Sequence, residues 1–234
     1  MGKCDLYYFL NYLPFIIHDD FCFILVSIPW ISIIIFSIAG GSIAELIGRK
    51  PSLILGQLFM ILGWVVIYFA NHFPMALSGR FITGIGIGIT IPVLTLHLSE
   101  IALVKTRGIL SMTNYLCQNL GNIFILMIGN NFSLNVVIGV SVFPSILFLG
   151  SSFFLPESPM WLVKKGHQIQ AKESLSKLRG PNYDKSVELS ELENLASSKD
   201  KLTIVAKLKE LSSRKNVVPF LIMAIFMILQ VINH

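Results

Sequence analysis

From Phe21 to Ala44 the chain runs for roughly two dozen residues without a charge. A block of that length constrains the fold more than anything else in the sequence, because about 20 apolar residues as a helix cross the hydrocarbon of a bilayer. Blocks of the same kind recur, and the expected spans are 22–44, 52–70, 75–98, 109–129 and 135–155. A further span begins near Val217 and reaches His234. Hydrophobic residues make up 54% of the chain and charged residues 13%, against about 25% charged in soluble domains. No run alternates as barrel strands do, so the expected class is an all-α membrane protein. It divides into an N-terminal segment 1–21, a five-helix bundle 22–155, a helical cytoplasmic linker 156–216 and a truncated terminal helix 217–234.

Basic residues give the orientation. Arg49 and Lys50 follow the first span, Lys105 and Arg107 follow the third, and a dozen more lie between Lys164 and Lys215. The opposite loops, 71–74 and 130–135, carry none. The basic loops are therefore expected in the cytoplasm and the N-terminus outside. The N-terminal residues carry no convincing cleavable signal: Lys3 precedes a short aromatic run broken by Pro14. An outside N-terminus without a signal suggests that a helix is missing in front. The net charge of +5 belongs to these loops and has no aromatic-basic patch, so no nucleic-acid partner is expected.

The linker repeats apolar residues at helical spacing: Ala171, Leu175 and Leu178, then Leu189, Leu192 and Ala196, then Leu202, Val205, Leu208 and Leu211. About three short helices under the bundle fit this pattern, as does a solvated linker. Cys4, Cys22 and Cys117 have neither metal-like nor disulfide-like spacing, and Cys22 and Cys117 read as packed side chains. The five histidines are far apart and make no metal set. No nucleophile–base or paired-acid arrangement stands out. No enzyme, metal or cofactor is therefore expected. Asn131-Phe132-Ser133 is an N-glycosylation sequon, but its loop is short enough to press the asparagine against the bilayer, which disfavours its use.

Polar residues inside or beside the spans carry the functional reading. Glu45, Arg49, Glu100 and Arg107 lie at the cytoplasmic ends of the first and third spans or just beyond. Two acids and two bases at one depth can pair across helices and hold that face in one of two states, as a transporter gate requires. Flanking charge explains the bases well and the acids less well, because acids do not set orientation. His97, three residues before Glu100, is placed for a local hydrogen bond. Gln118 and Asn122, with Asn114 one step earlier, share a face of the fourth span. Such amides can serve a sugar's hydroxyls or glue helices together. Arg80, near the outer end of the third span, either snorkels to water or marks a polar interior. Gly84 and Gly88, four apart, read as close helix packing.

The order of these motifs resembles the sugar-porter branch of the major facilitator superfamily. The run Gly41-Ser42-Ile43-Ala44-Glu45-Leu46-Ile47-Gly48-Arg49-Lys50 is similar to that family's loop signature. Gly79-Arg80, Gly84, Gly88, Glu100 and Arg107-Gly108 continue the match. Pro156-Glu157-Ser158-Pro159-Met160-Trp161-Leu162 resembles the signature after its sixth helix, and Pro219 to Gln230 the start of its seventh. The resemblance covers about residues 22 to 230 and implies a partial major-facilitator bundle: helices two to six, then a truncated seventh. It adds Glu157 to the gate set. Tyr115 stands where many members carry a sugar-contacting glutamine, and Gln230 falls on the first of a glutamine pair. Leu46 and Met160 replace common bases, Val231 replaces the second glutamine, and Ile232-Asn233-His234 leaves the family pattern. Leu116 to Gly129 and Ser99-Glu100 look most like insect-type facilitated trehalose transporters.

The resemblance implies movement of a hexose or trehalose-class sugar by alternating access, in the plasma membrane. The substrate set is then Gln118, Asn122, Tyr115 and Gln230. The only acids between residues 22 and 155 are Glu45 and Glu100, neither strongly placed inside a span, so facilitation is favoured over proton coupling. The alternative is a truncated, non-transporting fragment, inert or associating with itself or with a full-length relative.

Overall fold

The computed structural model describes residues 19–102, 106–132, 134–180 and 188–194. Within the unit spanning Gly2–Tyr183 there are seven helices among the described residues: α1 Asp19–Ile47, α2 Arg49–Tyr68, α3 Phe73–Ile101, α4 Arg107–Asn131, α5 Leu134–Phe154, α6 Pro159–Lys164 and α7 Gln168–Arg179. Residues 188–194, in the unit spanning Asp184–His234, form a short helix of their own.

Among the described residues, four helices are long and apolar enough to cross a membrane: Ser27–Ile47, Arg49–Tyr68, Phe73–Ile101 and Val136–Phe154. All five expected spans are helices, and four of them meet that measure of length and apolarity. The fourth expected span is a continuous helix, α4, of 25 residues, and about 20 suffice by length. It falls short on composition, because Asn114, Gln118, Asn119 and Asn122 interrupt its apolar surface. The expected terminal span and Gln230 lie outside the described residues, as does most of segment 1–21.

The helix α3 is the centre of the bundle, packed along α1 on one side and α2 on another, while α5 packs against α2. Ala44, Leu53, Ile89 and Val93 form the buried core, with Phe36, Phe59 and Phe148 laid against it. Glycines make this three-helix contact close. A Cβ on Gly86 would lie 2.7 Å from the Gly56 carbonyl oxygen and 2.8 Å from the Met60 nitrogen. A Cβ on Gly79 would lie 3.0 Å from the Gly63 oxygen. Gly84 faces Pro29 and Ser32, and Gly88 faces Ile33 and Phe36, so the expected packing role of that pair is found. Without a water-driven hydrophobic force between helices in lipid, backbone approach of this kind supplies the attraction. Two hydroxyls inside the helices are satisfied locally, Ser32 donating to the Pro29 carbonyl at 2.9 Å and Thr83 to that of Arg80 at 2.8 Å, whereas the buried Thr90 hydroxyl has no partner among the described residues.

The pattern at Ala171 and Leu175 is realised in α7, where both residues are buried. The neighbouring helix α6 packs against α7 and buries Met160 and Leu162.

Candidate functional site

The ends of α1, α3 and α5 and the beginning of α2 meet at one end of the bundle, and a single turn makes the meeting possible. Gly48 separates α1 from α2 with φ of 105° and ψ of 165°, a region open essentially to glycine alone. Its amide still donates to the Ala44 carbonyl at 3.2 Å. The turn makes Arg49 the first residue of α2 and sends its side chain back into the bundle, where the residue is 1% exposed.

Arg49 then meets Glu100 from α3 in a fork. Nε donates to Oε2 at 2.8 Å and Nη2 to Oε1 at 2.7 Å, while Nη1 donates to the Ala44 carbonyl at 3.0 Å. A planar guanidinium matches a carboxylate in this way, whereas an ammonium offers only a point charge.

Glu157, just beyond α5, holds the start of α2 from outside. The backbone N–H groups of Arg49, Lys50 and Ser158 donate to its Oε1 at 2.9, 3.2 and 3.0 Å. An acid there satisfies donors that a helix N-terminus leaves open and complements its dipole. Lys50 Nζ donates to the Phe153 carbonyl near the end of α5 at 2.6 Å.

A second layer ties α6 and α7 to the same end. Ser158 accepts from the Trp161 amide at 3.3 Å and caps α6, with Pro159 in its first turn. Trp161 Nε1 donates to the Glu45 carbonyl at 3.0 Å. Ser174 Oγ donates to the Glu157 carbonyl at 2.6 Å, and Arg179 Nη1 to that of Ile101 at 3.0 Å. Four spans and two short helices are thus joined through one buried ion pair and a ring of carbonyl contacts. Gly48→Ala is expected to cost on the order of 1–3 kcal/mol. Its Cβ would stand 2.6 Å from Glu157 Oε2 in addition to the backbone strain. The midpoint of thermal unfolding in detergent measures this, and an unchanged midpoint would show that the turn does not set the site.

Of the expected gate residues, the structure brings together Arg49, Glu100 and Glu157. It does not bring in the side chains of Glu45 and Arg107, which are exposed. Glu45 contributes its backbone carbonyl only, and Arg107 is the first residue of α4, its carbonyl accepting from Ser111 at 3.0 Å. The local bond expected between His97 and Glu100 is also absent. His97 is 1% exposed, and neither ring nitrogen has a hydrogen-bond partner among the described residues. Glu100 is turned to Arg49 instead.

The expected substrate residues Tyr115, Gln118 and Asn122 all lie on α4 and are exposed. The helix makes only sparse contacts with α3 and α5, so its amide face is not occupied as glue within this bundle. Arg80 is half-buried, with its guanidinium 5.4 Å from the centre of the Trp64 ring, an attractive arrangement for a cation. A groove of about 220 Å³ between α2 and α5 is lined by Trp64, Tyr68, Phe69, Ile138 and Val142. Its lining offers few hydrogen-bonding groups to a polyhydroxyl ligand. Sequence reasoning placed Lys50, Ser158 and Trp161 in motifs without assigning them contacts, and it missed Ser174 and Arg179. The Ser-Pro pair at 158–159 is a helix-start signal that could have revealed the cap made by Ser158.

The helices clamped at this end include four long and apolar enough to cross a membrane, which defines the class as a helical membrane bundle. The family model described as "Sugar (and other) transporter" matches residues 19–233. The chain belongs to that sugar transporter family. It is 31% identical over 204 residues to "Sugar transporter ERD6-like 6" of Arabidopsis thaliana, covering 87% of this chain and 42% of that relative. It is also 31% identical over 197 residues to "Sugar transporter ERD6" of the same plant, covering 84% and 40%. The chain therefore spans less than half the length of these relatives. Among solved structures, the proton:xylose symporter XylE bound to 6-bromo-6-deoxy-D-glucose superposes with a TM-score of 0.69 at 21% identity, over 83% of this chain and 49% of that one. The xylose transporter XylE from E. coli in a partially occluded inward-open conformation gives 0.71 at 20% identity, over 85% and 53%. The fold is accordingly an all-helical, partial major-facilitator bundle, and the chain is a multi-pass membrane protein.

Proposed function

We propose that this chain takes part in moving a sugar of the hexose or trehalose class across the plasma membrane by alternating access, down the sugar's gradient. The observation that carries the reading is the buried fork between Arg49 and Glu100, fastened to α1, α2, α5 and α6 through Ala44, Glu157 and Ser158. A buried ion pair contributes little net stability against an apolar replacement, yet is costly to break by halves. Such a contact suits two discrete arrangements of a cytoplasmic face. Gln118 and Asn122 supply donors and acceptors for hydroxyls from the exposed face of α4, with Tyr115 one turn away and Gln230 added by the family pattern. Facilitation is favoured over proton coupling because the acids between residues 22 and 155, Glu45 and Glu100, lie at the cytoplasmic end.

The exposed amide face of α4 also favours a second reading, in which that face is completed by another bundle: a second copy of this chain or a full-length relative. Uptake of labelled glucose and trehalose into cells expressing the chain, with surface delivery measured in parallel, tests both. Saturable uptake that Gln118→Ala lowers at least tenfold is expected under the transport reading. Surface protein without uptake overturns autonomous transport. Uptake restored only when a full-length relative is co-expressed supports the second reading.

A further inference from the structure

His97 is the buried group that the proposed gate leaves unused. It lies on α3 one turn before Glu100, and residues three apart on a helix are neighbours on its surface. Its ring is within electrostatic reach of Glu157, Glu100 and Arg49. Both Nδ1 and Nε2 lack a hydrogen-bond partner among the described residues, although the residue is 1% exposed. Buried polar groups are nearly always bonded, and an exception calls for an explanation.

We propose that His97 is a positioning residue, the second partner of Glu100: it receives the carboxylate when Arg49 releases it. In the arrangement described, the two carboxylate oxygens of Glu100 are taken by Nε and Nη2 of Arg49, and the imidazole goes without. If the fork opens, Glu100 would otherwise be left as an unpaired charge in a largely buried place. A neutral imidazole carries one N–H donor, and a turn of the χ angles of Glu100 brings its carboxylate toward that donor on the same helix face. Glu100 then has a partner in both states. The unsatisfied imidazole destabilises the locked state, and the imidazole–carboxylate bond stabilises the released one. His97 thereby narrows the free-energy gap between them. The inference takes its functional meaning from the gate reading above, but its physical content is a coupling between three side chains that is measured without any sugar.

The test is a double-mutant cycle on the full chain in detergent micelles, read as the thermal unfolding midpoint. In the wild-type background, His97→Leu is expected to leave the midpoint unchanged or raise it, since it removes two unbonded nitrogens. In the Arg49→Gln background, where Glu100 has lost its guanidinium, His97→Leu is expected to lower the midpoint by several degrees. His97→Gln, which keeps an amide donor, is expected to lower it less than His97→Leu does. A loss that is the same in both backgrounds, or smaller in Arg49→Gln, overturns the proposal. So does a His97→Gln variant as damaged as His97→Leu. If Arg49→Gln does not fold, Arg49→Lys takes its place in the cycle, keeping the charge while losing the fork, with the same outcomes at smaller amplitude. Absent sugar uptake with the coupling present would count against transport and leave the role of His97 intact.

Discussion

Replacing Arg49 by alanine is expected to destabilise the bundle by about 3–5 kcal/mol, the usual cost of removing one partner from a buried ion pair. The Glu100 side chain is 12% exposed and that of Arg49 is 2% exposed, so neither charge is compensated by water when the other is lost. The Ala44 carbonyl also loses a donor. Glu100→Ala is expected to cost a similar amount, because it strands the guanidinium. The double replacement is expected to cost clearly less than the two singles together, since it leaves no unpaired charge. Denaturation of the purified protein in mixed micelles gives all three values. Single replacements costing under about 1 kcal/mol, the range of exposed pairs, would contradict the burial on which the gate reading rests.

The second large effect concerns Gly86, where α3 lies against α2. Gly86→Leu is expected to prevent normal assembly, because the first carbon added already meets the backbone of Gly56 and Met60. Backbone cannot swing aside as a flexible side chain can, so the helices must separate along their length. Even Gly86→Ala is expected to cost about 1–3 kcal/mol, as overpacking does. Gly121 on α4 provides the contrast, since nothing lies within 4 Å of a Cβ built there. Gly121→Ala is expected to be neutral or to stabilise by up to about 1 kcal/mol through helix propensity. Size-exclusion profiles and unfolding midpoints of the variants measure the difference. Equal tolerance at both positions would show that the α2–α3 contact is looser than described.

Four spans were legible in the sequence because a bilayer demands long uncharged helices, and a charge-free block between basic loops leaves few alternatives. The glycine spacing of α3 was equally legible, since small residues at that period serve backbone approach whatever their partner helix. The helix α4 also stands where the sequence places a span, and the same amides that suggest a binding face lower its apolarity. At the site, Arg49 and Glu100 were identifiable as charges at one depth. Nothing in the spacing distinguished them from Glu45 and Arg107, because choosing a pair requires the Gly48 turn and the direction in which each side chain leaves its helix. The ties made by Trp161, Ser174 and Arg179 end on backbone carbonyls, which carry no sequence signal on the accepting side.

The Gly48 turn also has a consequence for how the protein is made. Arg49 is separated by 51 residues from the carboxylate that neutralises it, and by 108 from the acid that accepts from its amide. A ribosome delivers α1 and α2 long before either acid. The first hairpin therefore enters the bilayer with its guanidinium at the membrane edge and the first turn of α2 open. It gains its counter-charge only when α3 arrives, and its cap only after α5. Chain order thus makes the cluster close in steps, each acid arriving after the two helices whose junction it fastens.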